Sequence, residues 1–186
     1  IMPPQKPGKD TRDSILDAAE KVVADLGARR LTIDAVVERS GFSKGGVLYH
    51  FPNKTALLDG MVCRLVQSFE GKLAEAETIA RQAGEPVQPH IAKAMSAKDE
   101  HQKQVAQALL AAISEEPHLL GPAHDLLRGV DQRFIEGSSD PVLSQIIMLA
   151  LDGLHHRALL GFDVFTPEIR EAIRARLIDM TWKLHA

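Results

Sequence analysis

Gly41-Phe42-Ser43-Lys44-Gly45-Gly46-Val47-Leu48-Tyr49-His50-Phe51-Pro52-Asn53-Lys54 decides how the chain reads. Ser43 is an N-cap residue, because its hydroxyl can accept from the unsatisfied backbone N–H groups of a first helical turn. Pro52 removes a donor and disfavours helix at Phe51, so about two turns fit between them. Gly45 and Gly46 take two of those few positions, each costing about 1 kcal/mol relative to alanine. A short helix kept for packing alone gains nothing from that cost. The glycines make sense if the N-terminal turn must approach another surface closely. In this reading Val47, Leu48 and Phe51 grip a core, while Lys44, Tyr49, His50 and Lys54 offer donors at the surface. Anionic surfaces suit helix N-termini, and the commonest large one is DNA phosphate.

The residues on the N-terminal side fix the context. Thr32 is the N-cap of a helix over Ile33–Ser40, with Ile33, Val36 and Val37 on one face. Gly41 ends it, where a left-handed backbone is easy. A helix, a glycine turn and a second short helix with polar leading residues make the helix-turn-helix pattern. Ahead of it, Thr11–Leu26 supplies Ile15, Leu16, Ala19, Val22, Val23 and Leu26 at helical spacing, enough to close a three-helix core.

From Ile15 to Leu58 the chain resembles the DNA-binding domain of TetR-type transcriptional regulators. The matching pieces are Ile15 to Ala19, the Gly27 break, Leu31-Thr32, Val36 to Gly41, and the ordered run from Ser43 to Leu58. They cover roughly the first third of the chain. The resemblance implies that Thr32, Ser43, Lys44, Gly45, Gly46, Tyr49, His50 and Lys54 lie near double-stranded DNA. Lys44 is then the base-edge reader, since lysine can donate to guanine O6 and N7 in the major groove. Tyr49, Thr32 and Lys54 hold phosphates, His50 does either, and Leu48 is structural. A dimer presents two such helices about 34–36 Å apart, so a near-palindromic operator follows.

Composition agrees with an all-α chain. Aliphatic residues are plentiful, Tyr49 and Trp182 are the only Tyr and Trp, and no long alternating β-branched run occurs. The net charge of −3 argues against general coating of nucleic acid. Its distribution matters more: residues 1–54 hold nine Lys or Arg against seven Asp or Glu, leaving +2 there and −5 in the remainder. A DNA-facing end on an acidic body fits local recognition. Cys63 stands alone, no signal-peptide pattern opens the sequence and no stretch reads as a membrane span, so a cytoplasmic setting is expected. Residues 1–9 are Pro-rich and expected to be unstructured, 10–55 to form the DNA-binding domain, and 56–186 a larger effector-binding and dimerisation domain.

Asn53 caps a long helix from Lys54 to about Gln82, the expected mechanical link between the two, with Gly60 and Gly71 marking a bend or a tight contact, close packing being the commoner case. Gly84 to Pro89 is a break, followed by helices over His90–Ala97 and Lys98–Ser114. A second break at Glu115 to Pro122 precedes a helix to Glu136. Pro141–Gly161, capped by Asp140, is apolar around most of its circumference and so needs cover on two sides. Thr166-Pro167-Glu168 opens the last helix with a cap, a first-turn proline and a dipole-matched acid. Regulators of this type are typically dimers, so residues 141–161 and 167–185 are the expected homodimer face.

No catalytic set emerges. Ser114, Glu115, Glu116 and His118 are close in sequence, but the proline break gives no nucleophile–base geometry. Neither a metal nor a cofactor is expected. Asp152 shares a helical face with His155 and His156, as a ligand-sensing or metal-binding corner or as a hydrogen-bonded polar patch, the commoner fate of such groups. A metal would need further ligands such as His118 or His124. The resemblance also implies a pocket for an unknown small effector, with Phe69, Met95, Leu110, Leu127, Phe134 and Met148 as walls and Asp152 at its edge. Each wall residue alone is more often plain core. Few polar groups on those faces point to a mainly apolar ligand. The sequence-level reading is a repressor released from its operator by such a ligand. Its alternatives are an activator or effector-independent regulator, or a helical ligand-binding protein that no longer reads DNA.

Overall fold

Asp10 accepts from Arg12 N–H at 3.2 Å and so starts the first helix, α1 (Thr11–Leu26). The computed structural model describes residues 10–97, 99–113, 117–162 and 164–185; the expected tail over 1–9, and Ser114 to Glu116, lie outside the described residues. Eight further α-helices follow: α2 (Ile33–Ser40), α3 (Lys44–His50), α4 (Lys54–Ala83), α5 (Val87–Met95), α6 (Glu100–Ile113), α7 (Gly121–Ile135), α8 (Pro141–Leu159) and α9 (Pro167–Trp182). The described residues contain no strand.

Local chemistry sets these boundaries. Thr32 Oγ1 accepts from Ala35 N–H at 3.1 Å, Ser43 Oγ from Gly46 N–H at 3.1 Å, and Asn53 Oδ1 from Ala56 N–H at 2.8 Å. Gly41 closes α2 at φ 74°, in the left-handed region that an L side chain rarely adopts. Asp140 and Thr166 cap α8 and α9, each with proline in the first turn. One expected break is shorter than the sequence suggested. α5 begins at Val87 and carries Pro89 inside it. Proline is tolerated there because first-turn amides have no intrahelical partner to lose.

The chain divides into two compact units. The first runs through Leu65 and takes in Gln104–Leu120; the second comprises Val66–Lys103 and Gly121–Ala186. In the first unit Ile15, Leu16, Ala19, Val22, Leu31, Val36, Val47 and Phe51 are almost fully buried. Packing in this unit continues past residue 55, with Leu57, Leu58 and Met61 equally buried. Gly60 makes that possible: a Cβ there would lie 2.9 Å from a Phe51 ring carbon and 3.0 Å from Leu16 Cδ2. Gly71 has no such neighbour, so close packing explains only the first of the two glycines. Two expected core residues are not in the core. Leu26 is 57% exposed, because it ends α1 just before the Gly27 turn, while Ala28 and Leu31 beyond that turn are buried. Leu48 is 37% exposed, because Val47 and Phe51, one turn apart, take the inward face of α3.

The second unit is built on Leu73, Ile91, Val130, Phe134, Ile147, Met148, Leu151 and Leu177. Gln88, almost fully buried, donates to the Glu136 carbonyl at 2.8 Å. The Trp182 ring meets His90 edge-on, with centroids 6.2 Å apart.

Candidate functional site

All eight residues expected near DNA belong to the first unit, on α3, its flanks and the start of α2 and α4. Thr32, Ser43, Lys44, Gly45 and Tyr49 are exposed; Gly46, His50 and Lys54 are half-buried. Tyr49 stands out at 85% exposure, with its ring edge-on to His50 at 5.1 Å between centroids. The hydroxyls of Thr32 and Ser43 are occupied as acceptors by capping, yet each keeps its O–H as a donor to an external oxygen.

The two glycines of α3 differ. A Cβ on Gly46 would sit 3.2 Å from the capping Ser43 Oγ, so its bareness serves the helix start. A Cβ on Gly45 would meet nothing within 4 Å. The subunit therefore leaves room for alanine at an exposed position where alanine is the better helix former. Nothing inside the fold requires glycine there. Its use lies with whatever approaches from outside.

Sequence reasoning missed one participant. Asp34, in the first turn of α2, holds Lys44 Nζ at 2.8 Å from its Oδ1. Ten residues and a turn separate the two in the chain, so no spacing rule pairs them. Only the packing of α2 against α3 does.

Within the second unit, Phe69, Met95, Phe134 and Met148 belong to one apolar cluster. Leu127 is 44% exposed on α7, and Leu110, 37% exposed, lies in the first unit, so neither joins them. Asp152 is half-buried, and desolvation raises its pKa, with Asp131 adding to the effect and His156 and His155 opposing it. His155 is exposed at the surface. Enough protein nevertheless surrounds it that desolvation, then His156, lower its pKa, while Asp152 acts the other way. His156 Nδ1 lies 2.8 Å from the Asp152 carbonyl, one turn back on α8. Among the described residues no three His, Cys, Asp or Glu side chains are placed to hold a metal, so His118 and His124 do not complete a ligand set. The Cys63 thiol has its pKa raised by burial and then by Asp59, away from reactive thiolate.

Apolar side chains are exposed on both α8 and α9. Val142, Ile146 and Leu149 form a stripe on α8 at 70%, 54% and 70% exposure. An open groove of about 350 Å³ runs along α9 beside Ile169, Ala172, Ile173, Arg176 and Leu177.

Comparison with known proteins matches two segments of the chain. Residues 15–61 match the family described as bacterial regulatory proteins, tetR family, and residues 84–182 match the tetracyclin repressor-like C-terminal domain. The HTH-type transcriptional regulator TtgR of Pseudomonas putida is 29% identical over 62 residues. That similarity spans 33% of this chain and only 30% of the relative. A TetR-family structure from Streptomyces coelicolor superposes with a TM-score of 0.70 at 21% identity, covering 91% of this chain and 98% of that one. The multidrug binding protein EbrR complexed with malachite green gives 0.67 at 24% identity, covering 92% and 98%. At such identities the structural likeness speaks for the fold. Matched in its N-terminal segment and over more than half its length in the C-terminal one, the chain belongs to the TetR family of bacterial regulatory proteins, a family of regulators and not of enzymes.

Proposed function

We propose that this regulator is a homodimeric repressor that reads a near-palindromic operator with residues 10–55 and is released from it by a small, mainly apolar ligand held by residues 56–186. The observation that carries the DNA-reading part is Gly45: exposed, unconstrained by its own subunit, and on the leading turn of a helix whose neighbours Lys44 and Tyr49 are themselves exposed. Lys44 contacts base edges, while Thr32, Ser43, Tyr49 and Lys54 hold phosphates and His50 serves either; the bare Gly45 and Gly46 let the backbone come close.

The exposed stripe of Val142, Ile146 and Leu149, with the groove along α9, supports a two-fold interface through residues 141–161 and 167–185. The cluster of Phe69, Met95, Phe134 and Met148, with Asp152 at half-burial, supports an effector site in the second unit. The similar EbrR, seen with malachite green, is a precedent for a ligand of this kind. Release requires the ligand to prefer one conformation of the dimer, and moving a population from 1:99 to 99:1 takes about 5.5 kcal/mol of differential binding. No helix among the described residues is long and apolar enough to cross a membrane, and a cytoplasmic setting fits a DNA-reading role.

Selection of bound sequences from a random duplex pool tests the reading. A two-fold-related consensus is expected, with binding lost on addition of a lipophilic dye such as malachite green. Binding that persists with every ligand tried leaves an effector-independent regulator, and added ligand that tightens binding overturns release by ligand. Failure to enrich any duplex would leave a helical ligand-binding protein.

A further inference from the structure

The ion pair between Lys44 and Asp34 does little for the fold. Its side chains are 60% and 75% exposed, and pairs so open to water add little stability. Its placement says more. Asp34 stands in the first turn of α2, where the helix dipole favours a carboxylate, whereas Lys44 opens α3, where the same dipole disfavours an ammonium. Lysine has a long flexible stem, and without a partner its head would range widely. The short Asp34 side chain, fixed to a helix, holds that head at 2.8 Å.

We propose that Asp34 is a specificity-determining, positioning residue that turns Lys44 from a phosphate binder into a base reader; this rests on the DNA-reading role proposed above. An ammonium has three N–H donors, so one bond to Asp34 leaves two, the number that guanine O6 and N7 accept. Those acceptors are neutral. A phosphate oxygen gripped by the same ammonium would bring its negative charge beside the Asp34 carboxylate, and the two would repel. Asp34 therefore penalises the contact that every sequence offers and spares the contact that only some offer. The pair as a whole is neutral, so it adds nothing to the general attraction for a polyanion that dominates non-specific binding.

The test measures binding of wild type, Asp34→Asn and Asp34→Glu to the pool-selected duplex and to a random-sequence duplex across a salt series. Asp34→Asn is expected to bind the random duplex several-fold tighter. Its plot of log affinity against log salt should steepen by about one, the mark of a newly freed cation on phosphate. The ratio of selected to random affinity should fall about tenfold, the scale of one base-edge contact. Asp34→Glu, which keeps the charge, is expected to retain most of that ratio. An unchanged ratio and slope in Asp34→Asn would overturn the inference, and so would an equal loss on both duplexes, which a merely structural role predicts. If wild type enriches no duplex, the DNA-reading proposal fails and this one with it; if wild type enriches one and Asp34→Asn matches it, only this one fails.

Discussion

Arg64 Nη1 on α4 and Asp17 Oδ1 on α1 lie 2.7 Å apart, and the same guanidinium gathers two more acids of α1. It donates to Glu20 Oε1 at 3.3 Å, to Asp13 Oδ1 at 3.0 Å and to the Asp13 carbonyl at 2.7 Å. Asp13, Asp17 and Glu20 recur at helical spacing, so one face of α1 presents three carboxylates and one arginine answers them. The Arg64 side chain is 24% exposed and that of Glu20 only 11%. Arg64→Ala is therefore expected to destabilise the first unit by about 2–3 kcal/mol, the range of hydrogen bonds to charged groups with some repulsion added. Arg64→Lys should lose less, since it keeps the positive charge, but not nothing, since an ammonium cannot make the fork. Urea unfolding checks both, and equal stability of all three proteins would deny the cluster any structural part.

Gly45→Ala should separate folding from recognition. The subunit has room for the methyl, so stability is expected to rise by about 0.5–1 kcal/mol from helix propensity. Affinity for the selected duplex should fall about tenfold, the free-energy scale of an overpacked contact. Gly46→Ala crowds Ser43 Oγ and should show no such gain in stability, because the cap it disturbs contributes about 1 kcal/mol. Thermal melting and equilibrium binding on the same samples distinguish the two.

Leu149→Asp places a charge on a residue 70% exposed in the single chain, so the folded subunit should tolerate it. If that face meets a second copy, the dimer dissociation constant should rise about thirtyfold or more, as for an interface hot spot. Sedimentation velocity reads this directly. An unchanged association state would move the interface elsewhere.

His155 gives a pH dependence whose sign is fixed. Its pKa in the folded chain is lowered, by desolvation first, below the ordinary 6.5. As pH falls, the unfolded chain takes the proton first, so stability drops between 6.5 and the folded value and levels off below it. Melting temperatures between about pH 8 and pH 5 should therefore fall less in His155→Gln than in wild type. Parallel curves would assign the dependence to other groups.

Much of this was legible in the sequence because the signals are local. Caps at Thr32, Ser43, Asn53, Asp140 and Thr166 each depend on one side chain and an amide three residues on, and each is present. Periodicity identified the buried faces but not where burial stops. Leu26 and Leu48 fit a helical pattern yet emerge at the surface, because a helix end and a two-turn helix have too little length to bury every apolar residue. Contacts between helices were invisible: nothing about Asp34 announces Lys44, and the three acids of α1 do not name Arg64. The expected effector walls divided for the same reason, four meeting in one cluster while Leu110 and Leu127 face outward.

The chain contains one tyrosine and one tryptophan, and they fall in different units. Tyr49 stands in solvent on α3, while Trp182 closes α9 against the edge of His90. Each half of the molecule thus carries a native fluorophore of its own, and red-edge excitation, which only indole absorbs, isolates the second. Unfolding or rearrangement of the second unit can therefore be followed through the indole alone in an unlabelled protein.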